Sequence, residues 1–170
     1  ELGVKASLND DKLNASLALF KLEQDNLAQQ DGTSLTPAGW QAYTAAKGTT
    51  TEGVELELNG ELAPDWNIAG GYTYSVSRNS DDQRISTQIP RHSLKLFTSY
   101  RLSGPLDKLN VGGGFNWQSK TGFDMRNYTQ QSYAVANVMA RYEITHNLSA
   151  SVNLNNVFDK EYFTTTSGGV

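Results

Sequence analysis

Cysteine is absent from all 170 residues. That removes disulfides and thiolate metal sites from consideration. Proline is scarce, at four residues, and histidine scarcer, at two. His92 and His146 are far apart and not clustered with carboxylates at ligand spacing, so neither a metal centre nor an imidazole-based catalytic group is expected. No stretch approaches the ~20 consecutive apolar residues of a membrane-spanning helix, and mean hydropathy is −0.51. Positive charge is not in excess: 14 Lys and Arg stand against 18 Asp and Glu, a formal net charge of −4. That balance argues against a nucleic-acid partner. Glu1-Leu2-Gly3-Val4-Lys5 lacks the basic stretch and apolar core of an export signal. An exported precursor is therefore expected to begin upstream.

What the chain has instead is period-two alternation. Leu2, Val4, Ala6 and Leu8 alternate with Gly3, Lys5 and Ser7, and Leu13 to Glu23 continues as a second strand. Val54, Leu56 and Leu58 oppose Glu55, Glu57 and Asn59; Trp66, Ile68, Gly70, Tyr72 and Tyr74 oppose Asn67, Ala69, Gly71, Thr73 and Ser75. Leu94, Leu96, Thr98 and Tyr100 face away from Ser93, Lys95, Ser99 and Arg101. The same pattern recurs over Leu109–Gln118, Ala136–Glu143 and Leu148–Asn155. The spacing predicts eight strands with one apolar and one polar face. Low average hydropathy does not exclude a membrane wall, because a barrel strand shows lipid only every second side chain.

The connections are sorted by length. Asn9–Lys12, Ala63–Asp65, Ser103–Lys108 and Thr145–Asn147 are short, whereas 26–51, 78–90, 119–131 and 156–170 are long. Transmembrane barrels have tight turns at the periplasmic rim and long loops outside, so the strand at Leu2 is expected to run towards the periplasm. Trp66, Tyr100 and Tyr142 fall beside short turns on the apolar face, and Tyr74 and Trp117 near the long ones. Rings at both edges of an apolar band form the girdle of the two lipid interfaces. Glu55, Glu57, Lys95, Arg101, Arg141 and Glu143 then point into the lumen, since a lipid-facing charge near the midplane costs roughly 2–4 kcal/mol. Met139 and Val135 fall on that inward face and are candidates to pack against an internal plug. Glycines 70, 71, 112, 113 and 114 suggest bends or the close approach of something inside the barrel.

The long connections hold the candidate ligand residues: Trp40 and Tyr43 in the first, Arg78 and Arg84 in the second, and Phe123, Arg126 and Tyr128 in the third, with Trp117 beside it. Guanidinium forks suit anionic oxygens, and aromatic rings supply stacking and cation–π contacts. No catalytic residue, cofactor or metal ligand is assigned.

Five segments, in order, resemble TonB-dependent outer-membrane receptors of the ferric-siderophore type. Thr51-Glu52-Gly53-Val54-Glu55-Leu56-Glu57 is similar to the family's EGxExE strand, and Gly71-Tyr72-Thr73-Tyr74 to its YTY strand. Ile89-Pro90-Arg91-His92 resembles its PxH segment, and Tyr133–Tyr142 a later strand. Asn155-Asn156-Val157-Phe158-Asp159-Lys160-Glu161-Tyr162 matches the NNxFDKxY signature near the C-terminus. The signature itself reads as structural, because Asn and Asp stabilise turns through their own backbone. The resemblance implies an all-β fold: an antiparallel up-and-down transmembrane β-barrel segment of about eight strands from a barrel of about 22. Residues 1–170 would be the C-terminal portion of the barrel domain, with the plug domain and the closing strand absent. It also implies uptake of a ferric siderophore across the bacterial outer membrane, TonB coupling through the absent plug, and contact with outer-membrane lipid. Two other architectures fit the alternation: a complete eight-stranded outer-membrane barrel with a structural or adhesive role, and a soluble ligand-carrying barrel with its apolar residues inside.

Overall fold

The computed structural model describes residues 1–25, 27–46, 48–123 and 128–163; side chains of 27–33, 44–46, 123 and 128 are outside the description. The described chain forms thirteen strands: β1 (Leu2–Leu8), β2 (Leu13–Gln24), β3 (Leu27–Leu35), β4 (Gln41–Ala46), β5 (Thr49–Ala63), β6 (Trp66–Asn79), β7 (Arg84–Ile85), β8 (His92–Arg101), β9 (Leu109–Gln118), β10 (Thr121–Phe123), β11 (Tyr128–Gln130), β12 (Tyr133–Thr145) and β13 (Leu148–Leu154). The principal sheet runs β1-β2-β5-β6-β8-β9-β12-β13, every neighbour antiparallel, with β7 added beside β6. These eight long strands are the ones the alternation predicts. The hairpins β3–β4 and β10–β11 are additional and lie within two of the long connections.

Among the described residues β1 and β13 each pair on one side only. A complete eight-stranded barrel would need them to pair with each other, so the sheet is open and that alternative is set aside.

Register carries the two-faced pattern across every strand. One row reads Val4–Leu17–Leu56–Tyr72–Leu94–Trp117–Ala134, and another Ile68–Thr98–Gly113–Val138–Leu154. The polar face is equally continuous, as in Lys5–Ser16–Glu57–Gly71–Lys95–Asn116–Val135. A slip of one residue in any pairing would invert every side chain of that strand. The tryptophan-to-tyrosine span of β6, Trp66 to Tyr74, covers roughly 26 Å at about 3.3 Å per residue, the scale of an apolar band about 25 Å tall.

No dry centre forms. Only Leu13, Val76 and Val135 are buried hydrophobics among the described residues, while Leu56 is 48% exposed and Val152 67%. A soluble ligand-carrying barrel would have these side chains inside, so that reading fails as well. Each such leucine or valine forgoes about 1.5–3 kcal/mol until something apolar covers it. Hydrocarbon is the environment that covers all of them without a partner for each.

The short connections are tight. Asn9, Asp10 and Asp11 all have positive φ, Lys12 N–H donates to the Asn9 carbonyl at 3.2 Å, and Asp65 turns at φ 63°. Asn and Asp tolerate this left-handed region better than other side chains. Residues 104–106 form a short 3₁₀ turn. Extra residues at Leu62 and Ile144 shift the register near this rim. Gly60 is required: its φ is 140°, and a Cβ there would collide with the Lys12 carbonyl.

The strand glycines differ in how closely their neighbours approach. At Gly114 a Cβ would meet the Leu96 carbonyl at 2.2 Å, and at Gly112 the Thr98 carbonyl at 2.9 Å and the Phe97 ring at 3.0 Å. The close approach expected at these positions therefore comes from the neighbouring strand β8 and its phenylalanine. Gly71 has open space, with nothing closer than 3.8 Å.

Val152→Arg, on the apolar face, is expected to lower the stability of the folded protein in lipid vesicles by roughly 2–4 kcal/mol. Ser151→Arg, one residue away on the polar face, is expected to change it by less than about 1 kcal/mol. Urea titration of both variants measures the difference, and equal losses would refute the face assignment.

Candidate functional site

The inward face is built from short and charged side chains. Arg101 donates from Nη2 to Glu143 Oε2 at 2.8 Å and from Nε to the Asp107 carbonyl at 2.7 Å. This clamp ties β8, β12 and the 3₁₀ turn together at the periplasmic rim. Asn110 lies in the same row, between Arg101 and Arg141, and its buried Oδ1 has no hydrogen-bond partner among the described residues. An orphaned buried acceptor costs about 1–3 kcal/mol. All six charges assigned inward from sequence fall on this face by register. Val135 is 8% exposed, covered by the chain itself, and Met139 lies beside Gly112.

Towards the long connections the same face holds a pocket of about 380 Å³, lined by Ser93, Lys95, Asn116, Trp117, Gln118, Tyr133, Val135, Asn137, Asn155, Asn156 and Tyr162. Tyr133 and Tyr162 stack with centroids 4.5 Å apart. Lys95 has no ion-pair partner among the described residues. Sequence reasoning placed Lys95 and Val135 inward and named Trp117 a ligand candidate, but did not assemble the pocket. Its tyrosine pair joins a strand start to a distant loop, and no local spacing announces that.

The signature segment makes the pair possible. Asn156 has φ 53° and Asp159 φ 48°. Lys160 N–H donates to Asn156 Oδ1 at 2.9 Å, and Asn156 Nδ2 donates back to the Lys160 carbonyl at 3.1 Å. Asn156 N–H donates to Asn137 Oδ1 at 3.0 Å, and Val157 N–H to the Ala136 carbonyl at 2.9 Å. One asparagine thus closes the turn with its side chain while its backbone pins the turn to β12. Tyr162 is delivered onto Tyr133, and Phe163 N–H reaches Gln130 Oε1 at 3.0 Å.

The predicted ligand residues do not converge on one spot. Trp40 is 73% exposed at a turn in which Gly39 N–H donates to the Thr36 carbonyl and Trp40 N–H to Thr36 Oγ1. Tyr43, 59% exposed, follows in β4. Arg78 is not in a loop: it lies in β6 opposite Arg84 of β7, and its guanidinium is committed to Asp82, at 3.0 Å to the carbonyl and 3.4 Å to the carboxylate. Arg84 also has an interaction within the chain. Trp117 stands in the apolar row between Leu94 and Ala134 and also lines the pocket. Phe123 and Tyr128 pair across the β10–β11 hairpin, their side chains undescribed, and Arg126 lies outside the described residues. His92 sits between Tyr72 and Tyr74 on the apolar face, sharing a 2.7 Å hydrogen bond with the Tyr72 hydroxyl. No metal-holding cluster occurs among the described residues.

An open antiparallel sheet with a hydrocarbon-seeking face, a polar face carrying a pocket and loops sorted by rim is a wall segment of an outer-membrane β-barrel. The family model described as TonB dependent receptor-like, beta-barrel matches residues 1–157. The chain belongs to that family. It is 59% identical over 96% of its length to the ferric-pyoverdine BN7/BN8 receptor of Pseudomonas putida, covering 19% of that protein. It is 43% identical to the ferripyoverdine receptor of Pseudomonas aeruginosa, over 96% of this chain and 22% of that one. The crystal structure of the latter bound to ferripyoverdine superposes with a TM-score of 0.84 at 42% identity, over 94% of this chain and 23% of that chain. The siderophore receptor PiuA of Acinetobacter baumannii gives 0.78 at 29% identity, over 95% of this chain and 24% of that chain. The chain therefore spans about a fifth of the length of these relatives.

Asn156→Ala removes both side-chain bonds and puts a β-carbon residue without polar compensation at positive φ. It is expected to cost about 1–3 kcal/mol, and limited proteolysis should cut the segment after Asn155 faster. Asn156→Gly, which keeps the backbone conformation, should lose less.

Proposed function

We propose that this chain supplies part of the barrel wall and ligand-binding surface of a receptor that takes up a ferric siderophore of the pyoverdine type. The carrying observation is the strict two-faced register, which sets a hydrocarbon-covered exterior against a polar interior with a pocket at its outer end. The high identity to a ferric-pyoverdine receptor supports the ligand class. Residues 1–170 form the C-terminal portion of the barrel in this reading. Wall strands outside this segment pair with β1 and β13, because lipid satisfies no free backbone edge.

An N-terminal plug, also outside this segment, couples the receptor to TonB. It meets the inner periplasmic rim, where Asn110 Oδ1 awaits a donor and Arg141 stands exposed. The wall itself does no bond chemistry. It positions an anionic, ring-bearing iron chelate through a lysine, amides and aromatic faces, and nothing in that set is a nucleophile activated by a base.

Exposure supports part of the choice of ligand contacts. Trp40 and Tyr43 present exposed rings from the first long connection, and the sequence of the third carries Phe123, Arg126 and Tyr128. Arg84 adds a cation, and Lys95 with Tyr162 lines the pocket below.

In cells lacking other siderophore receptors, the full-length receptor should import radiolabelled iron as ferric pyoverdine. Trp40→Ala with Tyr43→Ala should weaken binding roughly 3- to 30-fold, the loss of about 0.5–2 kcal/mol of aromatic contact. Leu56→Val, on the apolar face away from the pocket, should leave affinity unchanged. Failure of the unmodified receptor to bind any ferric pyoverdine would overturn the reading.

A further inference from the structure

The apolar face is not uniformly filled. Near the periplasmic rim it holds a groove of about 590 Å³ lined chiefly by Trp66, Thr98, Tyr100, Val111 and Gly113. Its depth comes from one row. Thr98 and Gly113 are small, while Leu96 and Phe115 stand on one side and Tyr100 and Val111 on the other. Thr98 lies three residues from the end of β8, roughly 10 Å along the strand.

Gly113 is not there because the backbone demands it. A Cβ at Gly113 would meet only the Asn137 carbonyl at 3.4 Å and Val138 Cγ1 at 3.6 Å, ordinary contacts, and its φ is not in the left-handed region. Gly112 and Gly114, on the opposite face, are crowded by β8. The missing side chain at Gly113 therefore leaves space that the fold itself does not require.

The groove is also chemically prepared for an apolar occupant. Its Thr98 hydroxyl accepts from Trp66 Nε1 at 2.7 Å and donates to the Asn67 carbonyl at 2.9 Å. The Thr98 and Trp66 polar groups are thereby spent on each other and the backbone, and the indole is fixed as a side wall. Water has little to bond to here, and an empty void in hydrocarbon forfeits dispersion contacts. The groove is continuous with the lipid-covered band and opens among the rings of the periplasmic girdle.

We infer that this groove is a discrete lipid site that seats one acyl chain of a periplasmic-leaflet phospholipid, its glycerol level with Trp66 and Tyr100. The site depends on the outward face being lipid-covered and not on which siderophore the receptor takes up.

The test uses the full-length receptor, delipidated in detergent and titrated with dipalmitoyl phosphatidylethanolamine under native mass spectrometry. The unmodified receptor should hold one tight phospholipid that Gly113→Leu loses, an affinity drop of about tenfold. Gly113→Ala should show a smaller drop, and it keeps the comparison available if the leucine variant fails to show heat-modifiable migration. Trp66 fluorescence, taken as the difference from Trp66→Phe, should be quenched by brominated acyl chains, and less so in the Gly113 variants. Equal lipid retention and equal quenching across all variants would overturn the site. A receptor dimer that excludes lipid from the groove would overturn it too. Ferric-siderophore binding should be the same in every variant, so its loss in the unmodified receptor would count against the import reading and not against the groove.

Discussion

A sheet that shows hydrocarbon-like side chains to the outside has no stability of its own to spare. With three buried hydrophobic side chains among the described residues, the chain lacks the core that organises a soluble domain of this size. Its hydrogen-bond ladder is complete across eight strands, yet the apolar face gains nothing until lipid covers it. This single constraint explains the composition. Every second residue is free to be polar, so mean hydropathy stays low while one face is almost wholly apolar. It also explains why register is pinned at so many places. A one-residue slip of β5 would place Glu55 and Glu57 in hydrocarbon, and one of β8 would place Lys95 there.

The two rims meet this constraint differently. At the periplasmic rim, residues with positive φ, two register shifts, a 3₁₀ turn and the Arg101–Glu143 clamp lock the strands at fixed offsets. Such a rim leaves few degrees of freedom. At the other rim the chain adds hairpins and a folded-back signature turn, and these carry rings and cations above the pocket. Rigidity below and elaboration above let the loops vary on a scaffold that does not move with them.

Much of this was legible before any coordinates. Period two located all eight principal strands and both faces, because alternation is imposed on each residue separately. Short turns were legible because Asn, Asp and Pro-Asp mark them chemically. The signature was correctly read as structural, although its partners Asn137 and Ala136 on β12 were invisible to local pattern. Three things were not legible. The β3–β4 and β10–β11 hairpins lie in polar stretches where side chains alternate without a hydrophobic face to reveal the period. Arg78 looked like loop because Asn79-Ser80-Asp81-Asp82 announces a turn, yet β6 runs on to Asn79 and pairs with β7. Trp117 was read both as girdle and as ligand contact, and it stands in the apolar row while also lining the pocket, a double placement that alternation alone does not show.

The glycines show why one residue type needs two explanations in one strand. Gly112, Gly113 and Gly114 are consecutive, so the sequence presents them as a single flexible stretch. Alternation sends the outer two inward and the middle one outward. Inward, the absence of a side chain is forced by the Thr98 and Leu96 carbonyls and by Phe97. Outward, nothing forces it, and Thr98 across the pair is small as well. A wall selected only for stability would fill that notch, because an added methyl there finds ordinary contacts and more hydrocarbon to exclude. That the notch stays open beside a tryptophan anchored by the adjacent threonine separates two demands on the same strand: close approach of backbones on the lumen side, and accommodation of a guest on the membrane side.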